Sequence, residues 1–272
     1  MGLSPAQVEA FRREGFLFPL PAMAPARAAA LVDWLDALER RHAGIDARTR
    51  RHRLLRFKPH MLFPELDAVV HAPAVLDAVE SVLGPDILIW ASAFFIKEPG
   101  DPAFVSWHQD SATYGLDGDA LLTAWIAMSD AGIDNAAMRF APQSHRLGPL
   151  PHRDTEDAAN MLSRGETVEL EIDEDRAVDV VLAAGEMSFH HIDLAHGSGA
   201  NRSSRRRIGY AVRYMSPAMR PRLGPASAML ARGRDTGSGF EMEPRPIAED
   251  HPATRAAWER AIALRERTVF GA

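Results

Sequence analysis

No cysteine occurs among the 272 residues. That excludes disulfides, thiolate metal sites and a cysteine nucleophile together, and leaves His, Asp and Glu as the side chains able to hold a metal. It also fits a cytoplasmic protein. No apolar run approaches the roughly 20 residues a membrane-spanning helix needs. The N-terminus, Met1-Gly2-Leu3-Ser4-Pro5, lacks the basic and apolar regions of a secretory signal, and Ala6 stands where a myristoylation motif wants Ser or Thr. A net charge of −6 gives no reason to expect a nucleic acid or an anionic membrane as partner. There is no βαβ alternation, no glycine-rich phosphate loop, no internal repeat and no low-complexity tract, which argues against a nucleotide-binding Rossmann domain. What is present is the composition of an ordinary soluble globular protein, 46% apolar and 25% charged, with enough length for a substantial core.

The front third reads as helices. Ser4-Pro5-Ala6-Gln7 is a capping box with proline at the first helical position, predicting a helix over 5–14 that Gly15 ends. Phe16-Leu17-Phe18 reads as a short strand before Pro19 and Pro21. Ala28, Leu31, Leu35 and Leu38 recur at helical spacing within 25–42, and the same spacing returns in 64–70 and 73–83. The basic segment 46–56 reads as a solvated loop or flap. From Asp86 the texture changes to short strand-like runs bounded by Gly, Pro, Asn or Asp: 87–96, 103–107, 121–128, 138–142, 178–182, 187–191 and 208–215. That is the pattern of a β-sandwich or barrel. A charged insertion at 152–179 is a lid or a solvated loop, and the tail from Arg220 ends in a helix predicted over 252–268. The expected organisation is one domain, 1–272: a helical flank over 1–85, a β core over 86–215 and an extension over 216–272.

The chemistry gathers at Ser106-Trp107-His108-Gln109-Asp110. On an extended backbone, residues two apart share a side, so His108 and Asp110 would present an imidazole and a carboxylate to one point. That is two-thirds of the 2-His-1-carboxylate triad that holds non-haem Fe(II) with open coordination positions. His145, His152, His190, His191 and His196 are candidates for the third ligand. His190 and His191 are adjacent in a strand and face opposite ways, so one of them packs structurally. His196 stands out because Gly197-Ser198-Gly199 and then an arginine-rich strand follow it. One face of that strand carries Arg207, Gly209, Ala211 and Arg213, the other Ile208, Tyr210, Val212 and Tyr214. The second face suits a core. The first, two tiny residues between two arginines, is a groove for a small anion, which a guanidinium holds bidentately. Arg205 and Arg206 read as a solvated basic run. Lys97 reads as a solvent-facing strand cap, Arg139 pairs with an anionic substrate or with Asp130 or Asp134, and Tyr114, Trp90 and Phe95 either face the pocket or pack in the core.

His108-x-Asp110, His196-Gly197-Ser198-Gly199 and the arginine eleven residues beyond that histidine resemble the phytanoyl-CoA dioxygenase family of Fe(II)/2-oxoglutarate oxygenases. The segments 122–130, 138–145 and 185–190 and the opening helix are similar to it too, so the resemblance runs from about Leu3 to Met215. It departs at Asp134-Asn135-Ala136-Ala137-Met138-Arg139 and at Pro142-Gln143-Ser144-His145, neither of which contains a ligand. The resemblance implies a mainly β (α+β) fold, a double-stranded β-helix (jelly-roll, cupin-like) core with flanking N-terminal helices and a C-terminal helix. It implies His108, Asp110 and His196 as ligands to Fe(II), with Arg207, Ser198 and Trp125 around 2-oxoglutarate, and O2 as the oxidant. The activity implied is oxidative decarboxylation of 2-oxoglutarate to succinate and CO2, coupled to hydroxylation of a small-molecule substrate. Halogenating relatives carry Ala or Gly where this chain has Asp110, which favours hydroxylation and leaves desaturation or ring closure open. The competing expectation is a metal-dependent cupin-like barrel that binds or isomerises a small molecule without 2-oxoglutarate; it would need no arginine at position 207. The sequence fixes neither the substrate nor the oligomeric state.

Overall fold

The computed structural model describes residues 2–42, 54–162 and 164–270. Most of the basic segment expected as a flap, 46–53, lies outside them. Helix α1, Pro5–Glu14, begins as its sequence dictates: Gln7 N–H donates to the Ser4 hydroxyl, Ser4 N–H donates to the Gln7 side chain, and Gly15 closes the helix at φ 84°. Strand β1, Phe16–Pro21, runs through both prolines where a stop was expected. It can do so because it is the edge strand of its sheet, where the N–H that proline lacks has no neighbour to serve on one side. Helices α2 (Pro25–Arg41), α3 (Pro64–Val70) and α4 (Pro73–Leu83) follow, each with proline at its start.

The strands that follow are β2 (Ile87–Lys97), β3 (Val105–His108), β4 (Leu121–Ala127), β5 (Met138–Phe140), β6 (Val178–Val180), β7 (Glu186–His191), β8 (His196–Ser198) and β9 (Arg207–Met215). After them come β10 (Ser227–Arg232), β11 (Glu241–Met242) and the final helix α5 (Pro252–Phe270). They form a seven-stranded sheet in the order β1-β7-β4-β9-β2-β10-β11 and a four-stranded sheet in the order β3-β8-β5-β6. Neighbours pair antiparallel except β10 with β11. Nearly every strand-to-strand pairing is non-consecutive in sequence, the double-stranded β-helix topology of a jelly roll. The insertion at 152–179 carries a two-residue hairpin, His152–Arg153 with Thr167–Val168.

Period-two alternation on β9 decides what each side of the large sheet does. Ile208, Tyr210, Val212 and Tyr214 join one core cluster with Leu31, Leu35 and Leu38 of α2, Leu66 of α3 and Val79 of α4. Burying each such side chain contributes about 1.5–3 kcal/mol, so this face anchors the helical flank. The Tyr210 hydroxyl donates to Ser92 Oγ and the Tyr214 hydroxyl to the Val70 carbonyl, which removes the penalty of burying them. The opposite face, with Arg207, Ala211 and Arg213, lines a cavity whose other wall is the small sheet. Arg206 is no solvated residue: it donates to Asp36 and Glu39 of α2 and to Glu98, tying the flank to the sheet. The tail is structural as well. Strand β10 pairs with β2, and Trp258, Ala261 and Ile262 of α5 enter the main core, with Trp258 Nε1 donating to the Phe57 carbonyl at 2.6 Å.

Candidate active site

Antiparallel pairing of β8 with β3 sets His196 directly opposite His108, with ring centres 4.1 Å apart. Each imidazole is oriented by the carbonyl two residues earlier. His108 Nδ1–H donates to the Ser106 carbonyl and His196 Nδ1–H to the Leu194 carbonyl, both at 2.9 Å. A carbonyl can only accept, so both rings carry the proton on Nδ1 and present the Nε2 lone pair, the tautomer a metal ligand needs. Asp110 arrives differently from the expectation of a continuous strand. Strand β3 stops at His108, and Asp110 has helical dihedrals (φ −59°, ψ −33°) at the head of the turn Ser111–Tyr114. Its carboxylate still reaches the same point: Oδ1 is 3.9 Å from His108 Nε2, while Oδ2 accepts from Thr123 Oγ1 at 2.8 Å.

The three side chains are buried and their ligand atoms lie within 4.8 Å of one another. Two imidazoles and one carboxylate, each held by its own supporting hydrogen bond, suit a divalent first-row metal. Burial opposes ionisation of Asp110, but His190, Arg213 and His196 outweigh it and hold the carboxyl well below its usual range. Burial, with His108 and His190 nearby, keeps His196 neutral.

Gln109, between His108 and Asp110, is fully buried and works as a staple. Its Nε2 donates to the Gly148 carbonyl at 3.0 Å and the Asp193 carbonyl at 2.7 Å, and its Oε1 accepts from Leu150 N–H at 2.8 Å. Its own N–H donates to His152 Nε2 at 2.9 Å. His152 therefore buttresses the metal loop and is no ligand. Gln109→Ala is expected to cost about 1–3 kcal/mol of stability from the stranded backbone groups. The same substitution should weaken Fe(II) binding about 10–100-fold, as loss of ligand support does. Urea denaturation and metal titration check both; unchanged values in each would remove the staple.

Of the remaining histidines, His145 lies outside the site, bonded to the Arg12 carbonyl, and His191 faces it at 5.3 Å. His190 turns inward. Its ring stacks 4.3 Å from His196, its Nε2 is 3.6 Å from Asp110 Oδ2, and neither nitrogen has a hydrogen-bond partner. The adjacent pair His190-His191 announced that one ring would face in; β7 places it beside Asp110.

Beyond the triad, Arg207 is 1% exposed. It donates to the Ala136 carbonyl, its Nε has no partner, and its guanidinium lies 5.4 Å from the centre of the Trp125 ring. Gly209 makes room for that ring: a Cβ there would fall 1.8 Å from Trp125 Cζ2. Lys97, expected in solvent, is fully buried directly across from Arg207. Its ammonium donates to Ser198 Oγ at 2.8 Å and to the Gly199 carbonyl. Two buried basic side chains thus lie side by side against neutral acceptors, a setting suited to an anion. Burial and Arg207 push the Lys97 pKa down to about 6. Unfolded, this lysine keeps its proton to about 10.5, so the unfolded state binds more protons across that window and stability rises with pH through it. Urea midpoints between about pH 6.5 and 8.5 should climb less steeply in Lys97→Met than in wild type; equal slopes would refute it.

Arg139 pairs with Glu174 and Asp179, not with Asp130 or Asp134, and Asp134 is taken by Arg205. Tyr114, Trp90 and Phe95 all line the cavity.

Comparison with known proteins agrees with this geometry. The family model described as phytanoyl-CoA dioxygenase (PhyH) matches residues 11–209. A protein of Stutzerimonas stutzeri named "Probable alpha-ketoglutarate-dependent hypophosphite dioxygenase" is 31% identical over 185 residues, 65% of this chain and 64% of that one. The ectoine dioxygenase of Bordetella bronchiseptica is 24% identical over 276 residues, 94% of this chain and 84% of that one. Among solved structures, the non-heme monooxygenase ThoJ in its apo form superposes with a TM-score of 0.86 at 36% identity, covering 97% of this chain and 98% of ThoJ. CytC3 with Fe(II) and alpha-ketoglutarate shares the fold at a TM-score of 0.68 and 19% identity.

Proposed function

Since the chain belongs to the phytanoyl-CoA dioxygenase family, we propose that it is an oxygenase that hydroxylates an unactivated C–H bond of a small molecule, with release of succinate and CO2. Its cofactors are Fe(II), 2-oxoglutarate and O2. In this reading His108, Asp110 and His196 hold the iron, Arg207 and Ser198 receive the distal carboxylate of 2-oxoglutarate, and Trp125 lines the same pocket. The observation that carries it is the buried, partly unpartnered Arg207 beside Lys97 in the same cavity as the triad. A cupin-like barrel working without a keto acid has no use for a buried, partly unpartnered arginine there.

When bound, the iron would let O2 act as the oxidant, which neither the side chains nor the keto acid can do alone. The chain supplies placement. The carbonyls of Ser106 and Leu194 fix the imidazole tautomers, Thr123 steadies the oxygen of Asp110 turned away from His108, and Trp125 forms an apolar wall along the keto acid's carbon chain. Asp110 fills a ligand position that an anion such as chloride would otherwise take, which favours hydroxylation. The same reading takes residues 1–272 as one domain, supported by the entry of β10 and α5 into the sheet and core. Among the described residues no helix is long and apolar enough to cross a membrane.

The test is an anaerobic titration of Fe(II)-loaded protein with 2-oxoglutarate, followed by admission of O2 and assay of succinate. Binding near one equivalent and succinate release, raised by the right substrate in a metabolite screen, are expected. Absence of 2-oxoglutarate binding would sink the assignment.

A further inference from the structure

The chemistry above uses Arg207, and the same cavity is lined by three more guanidiniums. Arg213 stands on the same face of β9 as Arg207, six residues on, or about 20 Å along the strand. Its Nε donates to the Tyr114 hydroxyl at 2.7 Å. Arg56 donates to the Met161 carbonyl at 2.9 Å, and Arg56 and Arg213 lie 4.4 Å and 5.7 Å from the centre of the Phe95 ring. Arg265 comes from α5 and lies 4.9 Å from the centre of the Phe57 ring. All three line the cavity that holds the triad.

The described lining of that cavity carries four guanidiniums and two carboxylates, Asp110 and Glu166. Asp110 serves the metal, and Fe(II) and the dianion of 2-oxoglutarate cancel each other, so binding both adds no net charge to this wall. Glu166, 3% exposed and part of the insertion at 152–179, faces this cluster. Burial, with the fields of Arg213 and Arg265 added to it, pushes the Arg56 pKa down to about 10. Like charges gathered on a partly desolvated wall cost stability, and clusters of this kind recur where an anion is to be bound.

We propose, resting on the oxygenase reading, that Arg56, Arg213 and Arg265 recognise an oxyanion group, carboxylate or phosphonate, on the primary substrate. That group is held at the end of the cavity away from Arg207, so that the substrate's remaining carbons lie toward the metal. Phe95 supplies an apolar floor against which both Arg56 and Arg213 are stacked, which orients their N–H groups. Arg265 lies beyond residues 11–209, so part of this specificity comes from the C-terminal extension.

The test uses full-length protein loaded with Ni(II) and 2-oxoglutarate, which does not turn over, titrated calorimetrically with hexanoate, hexylphosphonate and neutral hexanamide. The wild type should bind at least one of the two anions about tenfold tighter than the amide, and which of them wins identifies the group. In Arg213→Met and Arg265→Met that preference should fall to near parity. Affinity for 2-oxoglutarate should stay at the wild-type value in Arg265→Met, because Arg207 and Lys97 are untouched. Equal binding of amide and anions, no probe binding at millimolar concentration, or a wild-type preference retained in both variants would overturn the proposal. Should Arg213→Met fail to fold, the wild-type comparison and Arg265→Met decide alone. Failure of the functional reading shows separately, at the loading step; repeating the probe titrations on metal-free protein tests the arginine wall without that step.

Discussion

Arg207→Met is expected to weaken 2-oxoglutarate binding by about two to three orders of magnitude, the equivalent of about 3–5 kcal/mol for removing one partner of a buried ion pair. The ligand-free protein should be as stable as wild type, or more so. The two effects have one cause. Without ligand, the guanidinium is 1% exposed, leaves its Nε without a partner, and sits beside Lys97 of the neighbouring strand, which offers it no counter-charge. A buried charge that meets no counter-charge burdens the fold, and an apolar side chain of similar length relieves that burden. With the dicarboxylate present, the same charge becomes the main source of affinity. Calorimetric titration and thermal unfolding of the one variant read both quantities. A structural role for Arg207 would show the reverse, lost stability with affinity retained, and that outcome would remove Arg207 from the cofactor site.

Asp110→Ala should weaken Fe(II) binding and lower succinate formation, each by more than the roughly 10–100-fold that loss of a merely supporting residue costs. The carboxylate is 4% exposed, with Thr123 donating to one oxygen and the other turned toward His108. Deleting it removes the one anionic ligand of the triad and leaves the buried Arg213 facing neutral imidazoles. His190, whose ring nitrogens have no partners, is close enough to approach an ion but lies on the side of Asp110 Oδ2. A retained metal content in Asp110→Ala, by elemental analysis after anaerobic loading, would show that a different set of side chains holds the ion.

Local pattern carried much of the architecture. The capping box of α1, the helical spacing of Leu31, Leu35 and Leu38, and the alternation of β9 depend on neighbours within a few residues, so they could be read along the chain and appear where expected. The residues His108, Asp110, His196, Ser198, Trp125 and Arg207, which the family resemblance singled out, are brought by the fold around one cavity. Strand ends were less so: β3 gives way to a helical turn before Asp110, because the turn's contacts and not the strand's alternation aim that carboxylate.

What the tertiary structure alone decided depends on partners far away in sequence. Lys97 ends a strand and looks like a surface cap until β9 is laid beside it and Ser198 and Gly199 close over it. Whether His190 or His191 faces inward depends on which sheet face is covered, and the helices cover one while β3 and β8 cover the other. Arg139 chose Glu174 and Asp179 because the insertion folds back over β5. Arg56, Arg213 and Arg265 are separated by the whole length of the chain and carry no shared motif. Only the crossing connections of a jelly roll and the docking of α5 bring them to one wall. The sequence by itself determined which chemistry the chain can attempt, since ligand type and spacing are local properties. The tertiary structure decided which further charges surround that chemistry, because desolvation and the distance between charges exist only once the strands are paired.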